Sequence, residues 1–154
     1  MSMSTPSPAA AAFELKQPTL LKLGGSLVYD ALVIIALCFA GALLFITVVG
    51  DATLGIKRYL LQLFLWLAIG AYFVWCWLKS GQTLAMHTWH LSLVRADHAP
   101  LSIQRAIARY VLASLSLMLF GLGFLWAIVD PDRRFLHDRL LHTKIAERHL
   151  RSTL

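Results

Sequence analysis

Apolar residues along the chain are gathered into three long runs, and polar residues fill the segments between them. The runs are residues 26–49, 59–78 and 106–129. Each reaches or exceeds the roughly 20 residues that a helix needs to cross a ~30 Å hydrocarbon core. The pattern predicts an all-α membrane protein with three transmembrane helices, the third containing a weak point at Gly121-Leu122-Gly123.

The segments outside these runs differ in character. The predicted organisation is a disordered tail over residues 1–19, a transmembrane domain over residues 20–146 and a basic tail over residues 147–154. Between the second and third runs, Leu91 and Leu93 alternate with the polar residues His90 and Ser92. This alternation predicts a short extended or interfacial segment there.

Composition and charge agree with a membrane location. The 154 residues are 58% hydrophobic and only 14% charged, with a mean hydropathy of +0.68, which leaves too little polar surface to cover a water-soluble domain. The formal net charge is +6, but the basic side chains lie almost wholly outside the apolar runs, as they do at the flanks of membrane helices. The lipid bilayer is therefore the expected partner, and nucleic-acid binding is not expected.

Motifs for catalysis are absent from the sequence, which has no phosphate-binding loop, nucleophile elbow, metalloprotease pair or dinucleotide fingerprint. His87 and His90 lie close together, but two histidines alone do not make a zinc site. We therefore expect no enzymatic activity, no cofactor and no bound metal.

Two arguments about membrane topology disagree. Lys16 and Lys22 before the first run favour a cytoplasmic N-terminus, which also places residues 80–105 in the cytoplasm. If the third run crosses, six basic residues face inward and eight outward; if it dips in and returns, twelve face inward and two outward. Charge thus favours a re-entrant segment. The 24 residues of the run, however, reach ~36 Å as a helix and favour a full crossing. Both topologies stay open, with three crossings preferred on length.

Asp30 and Arg109 are the charged residues within the first and third runs. An aspartate at a helix centre costs ~2.5–3.5 kcal/mol on insertion scales and marks a functional site by default. Asp30 lies near the start of its run, so a structural carboxylate close to the interface is the alternative. Arg109 heads the third run at a similar expected depth, which predicts an Asp30–Arg109 ion pair, with snorkelling of Arg109 to the headgroups as the alternative.

A second polar cluster follows the third run and consists of Asp130, Asp132, His137 and Asp138. A histidine beside carboxylates can form a pH-responsive or cation-binding site. The spacing fits no recognised metal motif, and helix capping or contacts with lipid headgroups are the simpler interpretation.

Between about Leu20 and Ala146 the chain carries, in this order, Tyr29-Asp30, Gly81-Gln82-Thr83-Leu84, Arg105, Asp130-Pro131, and His137-Asp138-Arg139-Leu140 with Thr143. This ordered set resembles the RDD family of small integral membrane proteins. The family is named for an arginine at the head of the first helix and two aspartates: Lys22 stands where the arginine is usual, Asp30 matches the first aspartate and Asp138 is the candidate for the second. The other matching residues are Tyr29, Gly81, Gln82, Thr83, Arg105, Asp130, His137, Arg139 and Thr143. The resemblance implies a role in transport or membrane association, and we expect a multi-pass protein of a bacterial inner membrane.

The expected function is ion- or proton-coupled transport, or transport of a small solute, with Asp30, Arg109 and Asp138 at its polar centre. Three helices are too few to enclose an aqueous path, so a homo-oligomer or another membrane protein is expected to supply further walls. Ala36 and Ala40 have the spacing of a close helix contact, although packing within the chain is the alternative. The alternative function is a non-transporting adaptor or assembly factor that docks a protein partner or anionic lipid.

Overall fold

The computed structural model of the protein describes residues 13–95 and 101–150, which contain nine elements. In chain order these are β1 (Phe13–Lys16), α1 (Leu20–Val49), α2 (Ile56–Ser80), α3 (Leu84–Thr88), β2 (Leu91–Arg95), α4 (Ile103–Met118), α5 (Leu122–Val129), α6 (Leu136–Leu140) and β3 (Thr143–Leu150). The long helices α1 and α2 pack against each other, and α4 packs against α2.

Helices α1 and α2 are each long and apolar enough to cross a bilayer. Their 30 and 25 residues correspond to ~45 Å and ~38 Å of helix, more than a ~30 Å hydrocarbon core requires. The first turn of α1 is capped by Thr19, whose hydroxyl accepts from the Lys22 N–H at 3.4 Å. Both helices are longer than the predicted runs: α1 begins six residues before the run at 26–49, and α2 extends three residues before and two residues after the run at 59–78.

The third apolar run forms two helices, α4 and α5, whose axes differ by 95°. Gly121 between them has a φ of +72°, a left-handed conformation that glycine adopts without strain, and follows Phe120, which also has a positive φ. Gly123 lies directly against Ser116, where an added Cβ would be 2.3 Å from Ser116 Oγ. The interruption expected at residues 121–123 is confirmed. The run is therefore not the straight ~36 Å helix on which the argument for a full crossing depended.

The three strands form one antiparallel sheet in the order β1-β3-β2. Lys16 lies opposite Glu147, and Leu93 lies opposite Ile145. Because β1 directly precedes α1 and β2 follows α2 after the single turn of α3, the sheet lies where α1 begins and α2 ends. We call this the sheet end of the molecule, and we call the opposite end, with the connection at residues 50–55, the loop end.

The sheet corrects two predictions made from the sequence. Phe13–Lys16 forms a strand, so disorder is wrong for that part of the tail predicted at residues 1–19, while residues 1–12 lie outside the described residues. Strand β3 runs across the boundary predicted at residue 146, because its last residues pair with β1. The extended segment expected between the second and third runs is confirmed as β2.

Buried apolar side chains lie at the sheet end in two clusters. The first contains Leu23, Met86, Leu91, Ala127 and Phe135, and the second contains Phe73, Trp77, Leu93 and Ala106. Toward the loop end, large apolar side chains such as Phe39 and Leu43 are exposed instead. A continuous exposed apolar surface of this kind is suited to contact with lipid rather than with water.

Candidate functional site

A buried ion pair between Arg109 and Asp138 lies at the sheet end. Arg109 Nε donates to Asp138 Oδ1 at 2.6 Å, and Arg109 Nη2 donates to Asp138 Oδ2 at 3.1 Å, so the pair is bidentate. The two side chains are only 4% and 1% exposed. This geometry holds both groups in place, because separating them would leave each charge buried and unpaired.

Four elements meet at this ion pair. Ala106, which is fully buried, packs α4 into the core, and Arg109 lies on the same face of the helix, three residues later. The guanidinium carbon of Arg109 is 4.4 Å from the ring centroid of Trp77 on α2, a cation–π contact. Asp138 approaches from α6, and Thr143 at the start of β3 donates from Oγ1 to Asp138 Oδ1 at 3.0 Å. The pair therefore joins α2, α4, α6 and the sheet.

The charge of Asp138 follows from these contacts. Burial raises the pKa of its carboxyl group, but the Arg109 guanidinium, the adjacent His137 and the hydrogen bonds from Arg109 and Thr143 outweigh burial and hold the pKa below its usual value. Asp138 is therefore ionised at neutral pH and is paired with a permanently charged side chain.

The ring of His137 lies beside Asp138 in an aromatic environment. Its centroid is 5.1 Å from that of Phe124 and 5.4 Å from that of Phe135. Burial lowers the pKa of His137 to about 4, with the Asp138 carboxylate opposing that shift and Arg109 adding to it. His137 is thus neutral at neutral pH, and its Nδ1 has no hydrogen-bond partner among the described residues.

Asp30 is buried in the same part of the molecule, in the first half of α1. Its carboxylate interacts with the side chain of Thr83 and with the charge of Arg109, but Oδ1 has no hydrogen-bond partner among the described residues. The Asp30–Arg109 ion pair predicted from the sequence is wrong, because the guanidinium pairs with Asp138 through two hydrogen bonds. Asp30 is left as a buried carboxylate with no ion pair to any described side chain.

Asp130 holds the segment that follows α5 in place. Its carboxylate accepts from Arg139 Nη1 at 2.5 Å through Oδ1 and from the Arg134 backbone N–H at 3.0 Å through Oδ2. Arg133 in turn donates from Nη1 to the Pro18 carbonyl at 3.1 Å, which ties this segment to the residues just before α1. Asp130 and Arg139 therefore support the architecture of the sheet end without contacting Asp30 or Asp138 through any bond of the described residues.

Lys22, which the sequence resemblance places where an arginine is usual, forms an ion pair with Glu147 of β3. Glu147 is buried, so this pair fixes the start of α1 against the sheet. Sequence reasoning missed Glu147 and the role of Trp77 beneath Arg109. For Glu147 a signal was available, since it is a single acidic residue within an otherwise basic C-terminal segment.

Gly81, Gln82 and Thr83 connect the end of α2 to the sheet. Gly81 ends α2 with a φ of +68°, and its carbonyl accepts from a backbone N–H of β2 at 2.7 Å. Gln82 Nε2 donates to the Leu91 carbonyl at 2.7 Å. Thr83 caps α3 and interacts with Asp30, so this turn also places a hydroxyl beside the buried carboxylate.

Two other residues of the motif lie away from the ion pair. Tyr29 on α1 is 38% exposed. Arg105 is at the start of α4, where its backbone N–H donates to Ser102 Oγ at 3.4 Å and completes the N-cap. The structure therefore places these two on the helices rather than in the polar centre.

The site contains two carboxylates in different situations. Asp138 is bonded to Arg109 and Thr143 through both oxygens and is fixed in its ionised form. Asp30 keeps one oxygen, Oδ1, that has no hydrogen-bond partner among the described residues, in a buried position next to the Thr83 side chain. A buried carboxylate with an open acceptor position is suited to bind a proton or a small cation.

Comparison of the chain with known protein families gives one match. A sequence model of the RDD family matches residues 25–142, which is most of the chain and includes Asp30, Arg109 and Asp138. No curated protein and no solved structure matches the chain.

Proposed function

Because the chain belongs to the RDD family of membrane proteins, we propose that it moves protons or small cations across a bilayer and that Asp30 binds the transported ion. In this proposal the Arg109–Asp138 pair is a fixed support, and Asp30 is the group whose occupancy changes. The protein would act as a multi-pass component of a bacterial inner membrane.

The unpartnered oxygen of Asp30 is the observation that carries this proposal. Ionisable groups buried within transmembrane helices are rare and mark ion and proton pathways unless another group neutralises them. Arg109 is the cation that could neutralise Asp30, but its Nε and Nη2 donate to Asp138. A proton or a small cation is therefore the neutralising partner that the site still lacks among its described residues.

The sheet supports a topology with two crossings and a re-entrant third segment. Hydrogen-bonded strands cannot lie on opposite sides of a hydrocarbon core, so β1, β2 and β3 must share one side of the bilayer. We infer that α1 and α2 cross and that the bent pair α4–α5 enters and returns to the side of the N-terminus. This topology places twelve of the fourteen lysine and arginine residues on the sheet side and two, Lys57 and Arg58, on the other.

The same topology supports an assembly of several copies. Two crossing helices and one bent pair leave too few walls to surround a path through the bilayer. We propose that other copies of the chain supply the remaining walls, with the exposed apolar faces of α1 and α2 available for that contact.

Replacing Asp30 by Asn tests the transport proposal, because Asn keeps the size of the side chain but cannot carry a negative charge. We expect Asp30→Asn to lower proton or cation flux in proteoliposomes at least ten-fold. Proton flux is measured with an internal pH dye, and Na⁺ or K⁺ flux with an internal dye selective for that cation, each under a gradient of the ion tested. The matched control is Asp51→Asn in the exposed loop, where Asp51 accepts from the Thr53 N–H at 2.9 Å and Asn can do the same. Full flux in Asp30→Asn, at equal insertion, would contradict the proposal.

An adaptor is the second candidate, and the sheet is the observation that favours it. Strands β1 and β2 are at the edges of the sheet, and no strand of the described residues pairs with their outer sides. Such edges can accept an added strand from a partner protein. If neither the wild type nor Asp30→Asn supports flux of any tested ion, the adaptor becomes the better explanation.

A further inference from the structure

A small cavity of about 140 Å³ lies at the sheet end, away from the Arg109–Asp138 pair. Its polar lining comes from Lys16 and Gln17 at the end of β1, Asp132 and Arg134 after α5, and Lys144 in β3. The fold thus brings three cationic side chains from three separate parts of the chain to one concave site.

The cations of this cavity are only partly neutralised. Arg134 Nη2 pairs with Asp132 Oδ2 at 2.8 Å, which accounts for the carboxylate of the cavity. Lys16 and Lys144 form no ion pair with the described side chains. Arg134 Nε is buried and has no hydrogen-bond acceptor among the described residues. The cavity therefore has an excess of two positive charges and an N–H donor that lacks an acceptor, which are the properties of an anion site.

The position of the cavity indicates which anion. Arg134 and Asp132 follow α5 within five residues, and Val129 and Ile128 at the end of α5 are 77% and 65% exposed. An exposed apolar helix that ends in a charged segment is expected to lie at the level where acyl chains meet headgroups. The cavity thus opens near the phosphates of the lipid leaflet on the sheet side.

We propose that this cavity binds the headgroup phosphate of an anionic phospholipid such as phosphatidylglycerol. Lys16 and Lys144 neutralise the phosphate as point charges, and Arg134 Nε donates a hydrogen bond to one of its oxygens. Asp132 accepts from a hydroxyl of the headgroup and disfavours a second anionic group. The inference is independent of transport, because none of these residues contacts Asp30 through a bond of the described residues.

Lipid binding by the detergent-purified full-length protein tests the site. We would titrate phosphatidylglycerol and phosphatidylcholine with identical acyl chains and count bound lipids by native mass spectrometry. We expect wild-type protein to prefer phosphatidylglycerol, and Lys16→Gln and Lys144→Gln each to weaken that preference about five-fold. The matched control is Lys79→Gln, since Lys79 also lies at the sheet end but is stacked over Trp75, outside the cavity.

Three outcomes of this experiment would count against a lipid-headgroup site. An equal affinity of wild type for the two lipids, or an unchanged preference in both lysine variants, would overturn it. Inorganic phosphate is the competing ligand, and displacement of the lipid by millimolar phosphate would assign the cavity to a free anion instead. Unchanged circular dichroism of the variants excludes unfolding as the cause of a loss.

Discussion

The sheet end and the loop end of the protein are built on opposite principles. Every buried charged side chain of the described residues lies in the half of the molecule near the sheet: Asp30, Arg109, Asp130, Asp138 and Glu147. The loop end has long apolar helices whose side chains are largely exposed, as at Phe39, Leu43 and Val48. Contacts within the protein therefore cover the side chains of the sheet end, whereas the apolar side chains of the loop end need lipid to cover them.

This difference indicates that the sheet end, rather than the loop end, fixes how the helices are arranged. Bidentate and buried pairs such as Arg109–Asp138 tolerate little change in geometry, so they fix the arrangement of the helices. Lipid-facing surfaces carry no such requirement, because one apolar side chain in hydrocarbon is much like another. Substitutions at the sheet end are consequently expected to have large effects, and substitutions on the lipid-facing surface small ones.

The largest expected effect is the side of the bilayer on which a topology reporter is active, because a reporter at either end is active on one side only. A topology reporter fused after Leu154 should lie on the side of the N-terminus, because β3 pairs with β1 and β2 in one sheet. That side should be the cytoplasm, since it carries twelve of the fourteen lysine and arginine residues. A reporter inserted at Thr53 should lie on the opposite side, since it follows one crossing. A Leu154 fusion on the same side of the bilayer as the Thr53 reporter would contradict the re-entrant topology and with it the division into two ends.

Breaking the ion pair at the sheet end should produce the next largest effect. Arg109→Ala leaves the Asp138 carboxylate buried without its partner, and we expect a loss of about 3–5 kcal/mol in the free energy of unfolding. Removing both charges, as in Arg109→Ala with Asp138→Ala, should destabilise less than the sum of the single changes. The measurement is denaturant unfolding in mixed micelles.

Arg109→Lys is the control for charge alone. Lysine keeps the positive charge but not the bidentate geometry of the guanidinium. The free energy of unfolding of Arg109→Lys should therefore lie between those of the wild type and Arg109→Ala. Additive losses in the double variant would mean that the two side chains do not stabilise each other and would contradict the role given to the pair.

Much of the membrane architecture could be predicted from the sequence, because apolar run length is a local signal. The runs at residues 26–49 and 59–78 lie within α1 and α2, and the glycine pair at residues 121 and 123 lies at the bend between α4 and α5. The bend angle itself was not predictable, since 24 apolar residues fit a straight helix equally well. At this angle Gly123 lies against Ser116, a close approach that a side chain at residue 123 would obstruct.

The partners within the polar centre were harder to predict than its members. Asp30, Arg109 and Asp138 stood out as charges in or near apolar runs, but depth in the membrane suggested the wrong partner for Arg109. The correct partner of Arg109 is Asp138 on α6. Thr143 at the start of β3 binds Asp138, so the position of Asp138 beside α4 depends on where the sheet places β3. Pairing between strands more than a hundred residues apart leaves no local pattern in a single sequence.

The smallest expected effect on stability comes from the lipid-facing surface of α1. Ala36 and Ala40 are exposed, so replacing both with Leu should change the free energy of unfolding by less than about 0.5 kcal/mol. Gly70 of α2 is the matched control on a packed face, because a Cβ there would be 2.7 Å from Cε1 of the Tyr110 ring, which donates a hydrogen bond to the Trp66 carbonyl, and Gly70→Ala should destabilise by about 1–3 kcal/mol. If Ala36 and Ala40 contact another copy, the double Leu variant should nevertheless lose cross-linked dimers in native membranes, since bulky side chains push helix axes apart. If the wild type and the double Leu variant are both monomers, assembly through this face is contradicted. If the variant forms cross-linked dimers in unchanged yield, the copies contact each other through another surface of the loop end.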